Sequence, residues 1–318
     1  MGAPTATPPR PSATELDALR SALAADLPSY LEDLEELVNI DCGSYTREGV
    51  NQVGRWIAGF CADLGASVET RPDPGGRLGE TVIATFDGRP GGPRVLLIGH
   101  MDTVFDPGTA ADRPFRLEDG VAYGPGVTDM KSGLLAGLYA LKTIIAARGG
   151  LPFERLVYIA NPDEEIGSPS STPHILEYAS ASDVALVLEC ARANGDIVSA
   201  RKGILDLRIV VHGRAAHAGV EPEKGRSAIL EGARIVHELH GLNGRWPGVT
   251  VNVGLIAGGT RPNVVAERCT LEVDVRAVER GALETAEAEI RRIVEATELP
   301  DVTIEFEPMA RWWPMEKL

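Results

Sequence analysis

The chain has 318 residues and a formal net charge of −15 at pH 7, with a pI near 4.9. Its hydrophobic fraction of 44% and charged fraction of 24% are typical of a globular protein, and its length favours two domains over one. The acidic balance argues against nucleic acid as a partner, because phosphate binding needs a clustered cationic surface. We also expect no membrane partner, since no apolar stretch approaches the roughly 20 residues of a membrane helix.

The N-terminal segment, residues 1–13, is rich in Pro, Ala and Thr and lacks the apolar core of a signal peptide. It predicts a disordered lead-in. The four cysteines have neither the CxxC spacing of a zinc cluster nor the pattern of a disulfide framework, and Cys190 is expected to be a small buried residue. Scattered free thiols favour a reducing compartment, so the predicted location is the cytoplasm.

The first part of the chain predicts an α/β domain. Leucines from Leu16 to Leu37 recur at helical spacing and predict one or two amphipathic helices. Short β-rich runs then alternate with Gly and Pro turns, and these runs give way to alternating apolar strands and helices. Such alternation predicts a layered domain around a mostly parallel, buried sheet. The later elements are helices over 51–64 and 132–147 and buried strands over 94–99, 156–160 and 184–188.

The second part of the chain has a different pattern, typical of a small α+β sandwich. Strands and helices are predicted in the order strand, helix, strand, strand, helix, strand. The corresponding segments are 203–211, 225–239, 248–256, 268–275, 283–295 and 302–306. We place this domain at 202–311, after a first domain at 14–201.

Chemistry-bearing side chains follow the predicted strands of the first domain. His100, the pair Glu164-Glu165 and Glu189 each come after an apolar run, so they are expected at one edge of the sheet. Asp129 lies in a glycine-rich turn before a helix, where it could bridge two cations or simply favour the helix N-terminus. A solvated acidic loop is the ordinary alternative for the glutamate pair. If that pair is extended, its two side chains point in opposite directions, one toward a metal and one toward substrate.

Seven strings together resemble a known family. They are LLIGHMDTV, YGPGVTDMKSG, NPDEEIGS, ALVLECA, GRAAHAG, GGTRPNVV and LEVDVRA. They are similar to the motifs of the dinuclear-zinc metallopeptidases that include glutamate carboxypeptidase, acetylornithine deacetylase, succinyl-diaminopimelate desuccinylase and the aminoacylases. The resemblance implies hydrolysis of the amide bond in a small peptide or N-acyl amino acid with a free carboxylate.

The resemblance also implies a role for each matching residue of the first domain. One divalent metal ion is expected on His100, Asp129 and Glu189, and a second on Asp129 and Glu165. Glu164 is expected to be the general base, with Asp102 orienting His100. Zinc is the expected metal, although mixed imidazole and carboxylate ligands also suit cobalt or manganese.

In the second domain the resemblance implies a lid that joins two copies of the chain into a homodimer. His217 is expected to come from the partner in the dimer and to hydrogen-bond the developing oxyanion. Asn263 and Arg276 are expected to hold the substrate, with the Arg276 fork suited to a carboxylate. A turn asparagine and a surface arginine are the ordinary alternatives for these two.

The resemblance further implies a return to the first domain with a final histidine that completes the second metal site. Residues 312–318 match only the start of such a return, and His174, His212, His237 and His240 match no such motif, so they are assigned structural or surface roles. An inactive or regulatory binding protein that keeps the fold is therefore the alternative. A nucleotide-dependent enzyme is a weaker one, because the glycines fit neither phosphate-binding motif.

Overall fold

The computed structural model describes residues 11–297 and 299–317. Most of the predicted disordered lead-in lies outside these residues. Where they begin, the Ser12 side chain accepts a hydrogen bond from the Glu15 amide, and the Glu15 carboxylate accepts one from the Ser12 amide. This capping box starts the first helix at Ala13, so that last residue of the predicted lead-in is helical.

The chain divides into two compact units, Met1–Cys190 and Ala191–Leu318. The domain limits predicted at 14–201 and 202–311, with 312–318 as a return to the first domain, stay predictions. In the structure, Met315 pairs with Arg201, and both lie in the second unit.

The first unit is built around a five-stranded sheet in the order β1-β2-β6-β3-β7. Its strands are β1 (Ser67–Arg71), β2 (Thr81–Asp87), β3 (Arg94–His100), β6 (Arg155–Asn161) and β7 (Val184–Val187), beside a separate hairpin of β4 (Arg116–Glu118) and β5 (Val121–Tyr123). Its helices are α1 (Ala13–Ala25), α2 (Leu27–Val38), α3 (Arg47–Asp63), α4 (Thr109–Asp112), α5 (Ser132–Arg148) and α6 (Thr172–Ser180).

The α/β class is confirmed, with a sheet that is mixed rather than mostly parallel. β3 runs parallel to both of its neighbours, β6 and β7, whereas β1 and β2 pair antiparallel. Alternate residues face two apolar layers. Residues such as Leu97 and Tyr158 pack with α2, α3 and α5, and residues such as Leu96 and Ile159 pack with α6.

The segment Val127–Arg148, which contains α5, corrects the expectation that no apolar stretch approaches the length of a membrane helix. The segment has 22 residues, and an 18-residue window within it reaches a mean hydropathy of 1.2, so it is long and apolar enough for a membrane span by length and composition. Half of that window is buried within the protein, and Leu134, Leu135 and Leu138 are fully covered. A core helix packed on a sheet passes the same test, because it too is apolar over much of its circumference.

Strand β7 departs from the predicted burial. Val184, Leu186 and Val187 are exposed, although parallel strands are usually covered on both faces. β7 is the last strand of the sheet as far as the described residues show. Cys190, which follows it, is exposed, so the prediction that it is a small buried residue is wrong; the other three cysteines are buried, and all four are free.

The second unit is an antiparallel four-stranded sheet in the order β11-β8-β10-β9, with two helices packed on one face. Its elements are β8 (Gly203–His212), α7 (Ala228–His240), β9 (Thr250–Gly258), β10 (Arg268–Ala277), α8 (Arg280–Glu295) and β11 (Thr303–Trp312). Alternate residues of β8, among them Leu205, Leu207 and Ile209, are buried against the helices, as the period-two pattern predicts.

Candidate metal centre

Three strand ends bring the predicted ligands to one edge of the first sheet. β3 ends at His100, β6 ends at Asn161 shortly before Glu164, and β7 ends at Val187 shortly before Glu189. Because these strands are parallel, their carboxyl ends lie at the same edge. This is the edge that the sequence predicted for the site.

His100 is the centre of the cluster. Its side chain is only 1% exposed, and Nδ1 lies 2.9 Å from the carbonyl oxygen of Asp102. The other ring nitrogen, Nε2, faces carboxylates: it lies 3.0 Å from Asp129 Oδ1, 3.4 Å from Glu189 Oε1 and 4.0 Å from Glu164 Oε2. Metal-ligating histidines show this arrangement, with one nitrogen bonded to a protein oxygen and the other directed at the ion.

Two overlapping groups of side chains meet the distance requirement of a cation site. One is His100, Glu164 and Glu189, and the other is His100, Asp129 and Glu165; within each group the ligand atoms lie within 4.8 Å of one another. Together these five residues include every ligand predicted for the two ions and the predicted base. The structure brings these side chains around His100 but divides them differently from the predicted sets, since Glu164 rather than Asp129 joins His100 and Glu189.

The electrostatics of the cluster favour a cation. Burial raises the pKa of Glu165 to about 6, and the charge of Asp129 adds to the effect. Burial also raises the pKa of Glu164, against the opposing charge of His100. Burial lowers the pKa of His100, but hydrogen bonds and charges of its acidic neighbours, Asp102 first, outweigh this and raise it to about 11. The carboxylates thus draw a positive charge to His100 Nε2, and a divalent cation would take the place of that proton.

The donor set fits such an ion. One imidazole with several carboxylates suits zinc and also cobalt or manganese. The Asp129 and Glu164 side chains are 62% and 51% exposed, so the cluster is open on one side. A substrate can therefore reach the ligands.

The turn that carries Asp129 depends on glycine. Gly126 has a φ of 71°, and a Cβ there would lie 2.6 Å from the Thr103 side chain. Asp129 itself has non-helical angles within the irregular turn Val127–Lys131, and its peptide bond to Met130 is cis. Asp129 is therefore not an ordinary residue of the helix N-terminus, since α5 begins only at Ser132.

The backbone of the glutamate pair differs from the prediction. Glu164 and Glu165 lie in a 3₁₀ turn, Glu164–Ile166, that ends at Gly167 with a φ of 86°. They are not extended, so the alternation of an extended segment does not set the directions of their side chains. In the turn, both carboxylates belong to groups that contain His100.

The predicted residues of the second unit fall into two places. The Ala218 amide donates to the carbonyl oxygen of Asn263 at 3.0 Å, which joins the loops of His217 and Asn263. The Gly219 amide donates to His217 Nδ1 at 3.2 Å. An imidazole that accepts at Nδ1 carries its proton on Nε2 when neutral, so exposed His217 presents an N–H donor.

Arg276 lies elsewhere in the same unit. It lies near the end of β10, and the strand extends about 26 Å from its first residue, Arg268, to Arg276. Its Nε donates to both oxygens of Asp274, at 3.0 and 3.1 Å, and its side chain is 48% exposed. Any carboxylate that binds Arg276 must therefore share the guanidinium with Asp274.

Two buried residues near the cluster were not predicted. The Ser44 hydroxyl donates to Asp102 Oδ2 at 2.6 Å, and the Lys131 ammonium donates to the carbonyl oxygen of Ile40 at 2.9 Å. Lys131 is 1% exposed and is the last residue of the turn that carries Asp129. Periodicity gives no signal for Ser44, whereas Lys131 stands within one of the strings that carry the resemblance.

Comparisons with known proteins agree with this architecture. Residues 199–302 match the model of the M20 peptidase dimerisation domain. Over 287 residues the chain is 30% identical to carboxypeptidase G2 from Pseudomonas sp. (strain RS-16), which covers 90% of this chain and 69% of that protein.

Two solved structures show the same fold. Aminopeptidase PepT from Bacillus cereus ATCC 10987 matches with a TM-score of 0.74 and 23% identity, over 90% of this chain and 76% of that one. A tripeptidase from Staphylococcus aureus subsp. aureus Mu50 matches with a TM-score of 0.69 and 22% identity, over 89% and 76%.

A cluster of candidate metal ligands at the strand ends of an α/β unit, in one chain with a peptidase dimerisation domain, indicates a metal-dependent hydrolase. The chain belongs to the M20 family of metallopeptidases. It is a peptidase or amidohydrolase that cleaves amide bonds, and the non-catalytic alternative is not favoured.

Proposed function

We propose that this protein hydrolyses the amide bond of a peptidyl or N-acyl amino acid with a free carboxylate, using Glu164 as the general base. The observation that carries the proposal is the cluster around His100 Nε2, in which Glu164 lies 4.0 Å from the ring nitrogen. Carboxypeptidase G2 is a carboxypeptidase by name, and its 30% identity to this chain supports the substrate class.

The proposed ligands are His100, Asp129, Glu165 and Glu189, for two divalent ions, with zinc as the metal. Such ions, when bound, polarise an amide carbonyl and make water a better nucleophile. Asp129 is proposed as the ligand that the two ions share; its side chain is exposed, and its Oδ1 lies 3.0 Å from His100 Nε2.

Glu164 is suited to move protons. Burial and the charges of its acidic neighbours raise its pKa against the opposing charge of His100, which brings a carboxylate closer to the working range of a general base. It accepts a proton from the attacking water and delivers it to the departing amine. His217 offers its Nε2 proton to the oxyanion, and Asn263, joined to the His217 loop, positions the substrate beside it.

We further propose that two copies associate through the dimerisation domain. Exposed apolar side chains collect on strand β9, at the edge of the second sheet, and on the first turn of α7, which packs against it. They are Leu255 and Ile256 on β9 and Ile229 and Leu230 on α7. A cluster of exposed apolar side chains on an edge strand is expected to be covered by a partner.

We also propose the cytoplasm as the location of the protein, because its cysteines are free.

The test uses the metal-loaded protein and a panel of peptidyl and N-acyl amino acids. Glu164→Gln should lower kcat by roughly 10²- to 10⁴-fold and keep the bound zinc. Glu165→Gln is the contrasting variant and should lose zinc. Zinc-loaded wild-type protein that binds the panel without cleaving it would support the non-catalytic alternative instead.

A further inference from the structure

Three hydrogen-bond donors other than His100 hold the carboxylate of Asp102. The Asp102 side chain is fully buried. Its Oδ1 accepts from the Glu164 amide at 3.1 Å, and its Oδ2 accepts from the Glu165 amide at 3.2 Å and from the Ser44 hydroxyl at 2.6 Å. The carboxylate thus accepts hydrogen bonds from the first two amides of the turn that carries the glutamates.

The imidazole of His100 uses a different atom of the same residue. Its Nδ1 lies 2.9 Å from the Asp102 carbonyl oxygen and 3.4 Å from Oδ1. The closer contact is with the backbone. The ring is therefore held mainly by the backbone of Asp102, with the carboxylate as a more distant neighbour, and the short contacts of the carboxylate are with Ser44 and the turn.

We propose that the Asp102 carboxylate, held in place by Ser44, is the positioning group for the turn that bears Glu164 and Glu165. The first amides of a helical turn have no partner within the turn, and Asp102 supplies one for each. A buried carboxylate in turn needs donors, which these amides provide. The proposal rests on the proposed role of Glu164 as base, and it assigns Ser44 as a positioning residue.

Ser44 fixes which way the carboxylate faces. Rotation of the carboxylate plane would break its match to two adjacent amides, and a third donor on Oδ2 opposes that rotation. The loop that carries Ser44 is itself fixed to the end of β3, since the Thr103 amide donates to the Cys42 carbonyl oxygen at 2.9 Å and Gly43 pairs with Thr103. The α2–α3 loop, β3 and the glutamate turn therefore meet at one carboxylate.

Asp163, the residue directly before the turn, has its own set of hydrogen bonds, and these provide a matched control. The Asp163 carboxylate accepts from the Ser171 hydroxyl at 2.5 Å and from the Ser170 amide at 2.6 Å. Asp163 and Ser171 are as buried as Asp102 and Ser44. Ser171→Ala therefore removes a bond of the same kind without touching the acceptor of the Glu164 and Glu165 amides.

The direct test is amide hydrogen exchange on the full chain without metal. Ser44→Ala should speed exchange at the Glu164 and Glu165 amides by about tenfold, the worth of one hydrogen bond. Ser44→Thr, which keeps the hydroxyl, and Ser171→Ala should leave these two amides close to wild type. Asp102→Asn, which keeps the shape of the side chain, should speed both. Unchanged exchange at Glu164 and Glu165 in Ser44→Ala and Asp102→Asn would overturn the proposal.

Kinetics provide the second readout. At saturating zinc, Ser44→Ala should lower kcat by roughly 10- to 100-fold, as other residues behind metal ligands do, with KM unchanged. Ser44→Thr should restore kcat. If Glu164→Gln proves fully active, the proposed base is wrong while the exchange result still decides whether Asp102 holds the turn. A kcat in Ser44→Ala equal to the wild-type value at saturating zinc would contradict the proposal.

Discussion

At the scale of single residues, the hydrogen bonds decide which nitrogen of each histidine is available for chemistry. In the first unit, the Asp102 carbonyl oxygen engages His100 Nδ1 and directs Nε2 at the carboxylates. In the second, the Gly219 amide engages His217 Nδ1 and leaves the proton on Nε2. One ring is thus prepared to accept a metal ion and the other to donate a hydrogen bond.

The tautomer of His217 can be measured. Gly219→Pro removes the amide that holds Nδ1, so the proton should partly move from Nε2 to Nδ1. Gly219→Ala keeps the amide, and its new Cβ would meet only ordinary contacts at 3.6 and 3.7 Å. Nitrogen chemical shifts of the neutral ring in ¹⁵N-labelled protein report the tautomer directly. An Nδ1–H ring in the wild type would show that Gly219 does not set it.

At the scale of elements, the site depends on how closely helix α5 approaches strand β7. A Cβ on Gly133 would lie 1.9 Å from the Leu188 carbonyl oxygen, which is a backbone atom directly before Glu189. No side chain fits there unless the helix or the strand end moves. Since Asp129 precedes α5 and Glu189 follows β7, the separation of these two ligands is set by this contact.

Gly133→Ala is therefore expected to weaken zinc binding by at least tenfold, because a ligand set displaced on this scale loses much of its affinity. Gly59→Ala is the control: it lies on α3 with nothing within 4 Å of the new Cβ, and it should stabilise the protein slightly through the helix preference of Ala over Gly. Calorimetric zinc titration and thermal unfolding of both variants separate the two effects. Equal zinc affinity in the two would mean that α5 and β7 adjust independently.

The elements also show what sequence could predict. Strands β3, β6 and β7 are short apolar runs that end before polar residues, so the edge with His100, Glu164 and Glu189 could be predicted from pattern alone. The 3₁₀ turn at Glu164 could not, because its form depends on the Asp102 carboxylate, which is distant in sequence. Ser44 carries no pattern signal for the same reason. The exposure of β7 was missed because apolar composition predicts burial without saying what covers the strand.

At the scale of the whole molecule, the chain combines a unit that holds the candidate ligands with a dimerisation domain that holds His217 and Asn263. In a two-fold dimer a loop of one copy can complete the site of the other. We expect His217 to act in this way, on the resemblance of GRAAHAG to the family motif. This arrangement would make the dimer the smallest active form.

Subunit complementation tests that expectation. Each homodimer of Glu164→Gln or of His217→Ala should be nearly inactive. A heterodimer of the two variants, co-expressed with different tags and purified through both, pairs the intact Glu164 of one subunit with the intact His217 of the partner subunit. If His217 acts across the dimer, one of the two sites is complete, and the heterodimer should show about half of the wild-type kcat per dimer. If His217 serves its own subunit, both sites lack one group, and the heterodimer should be no more active than the homodimers.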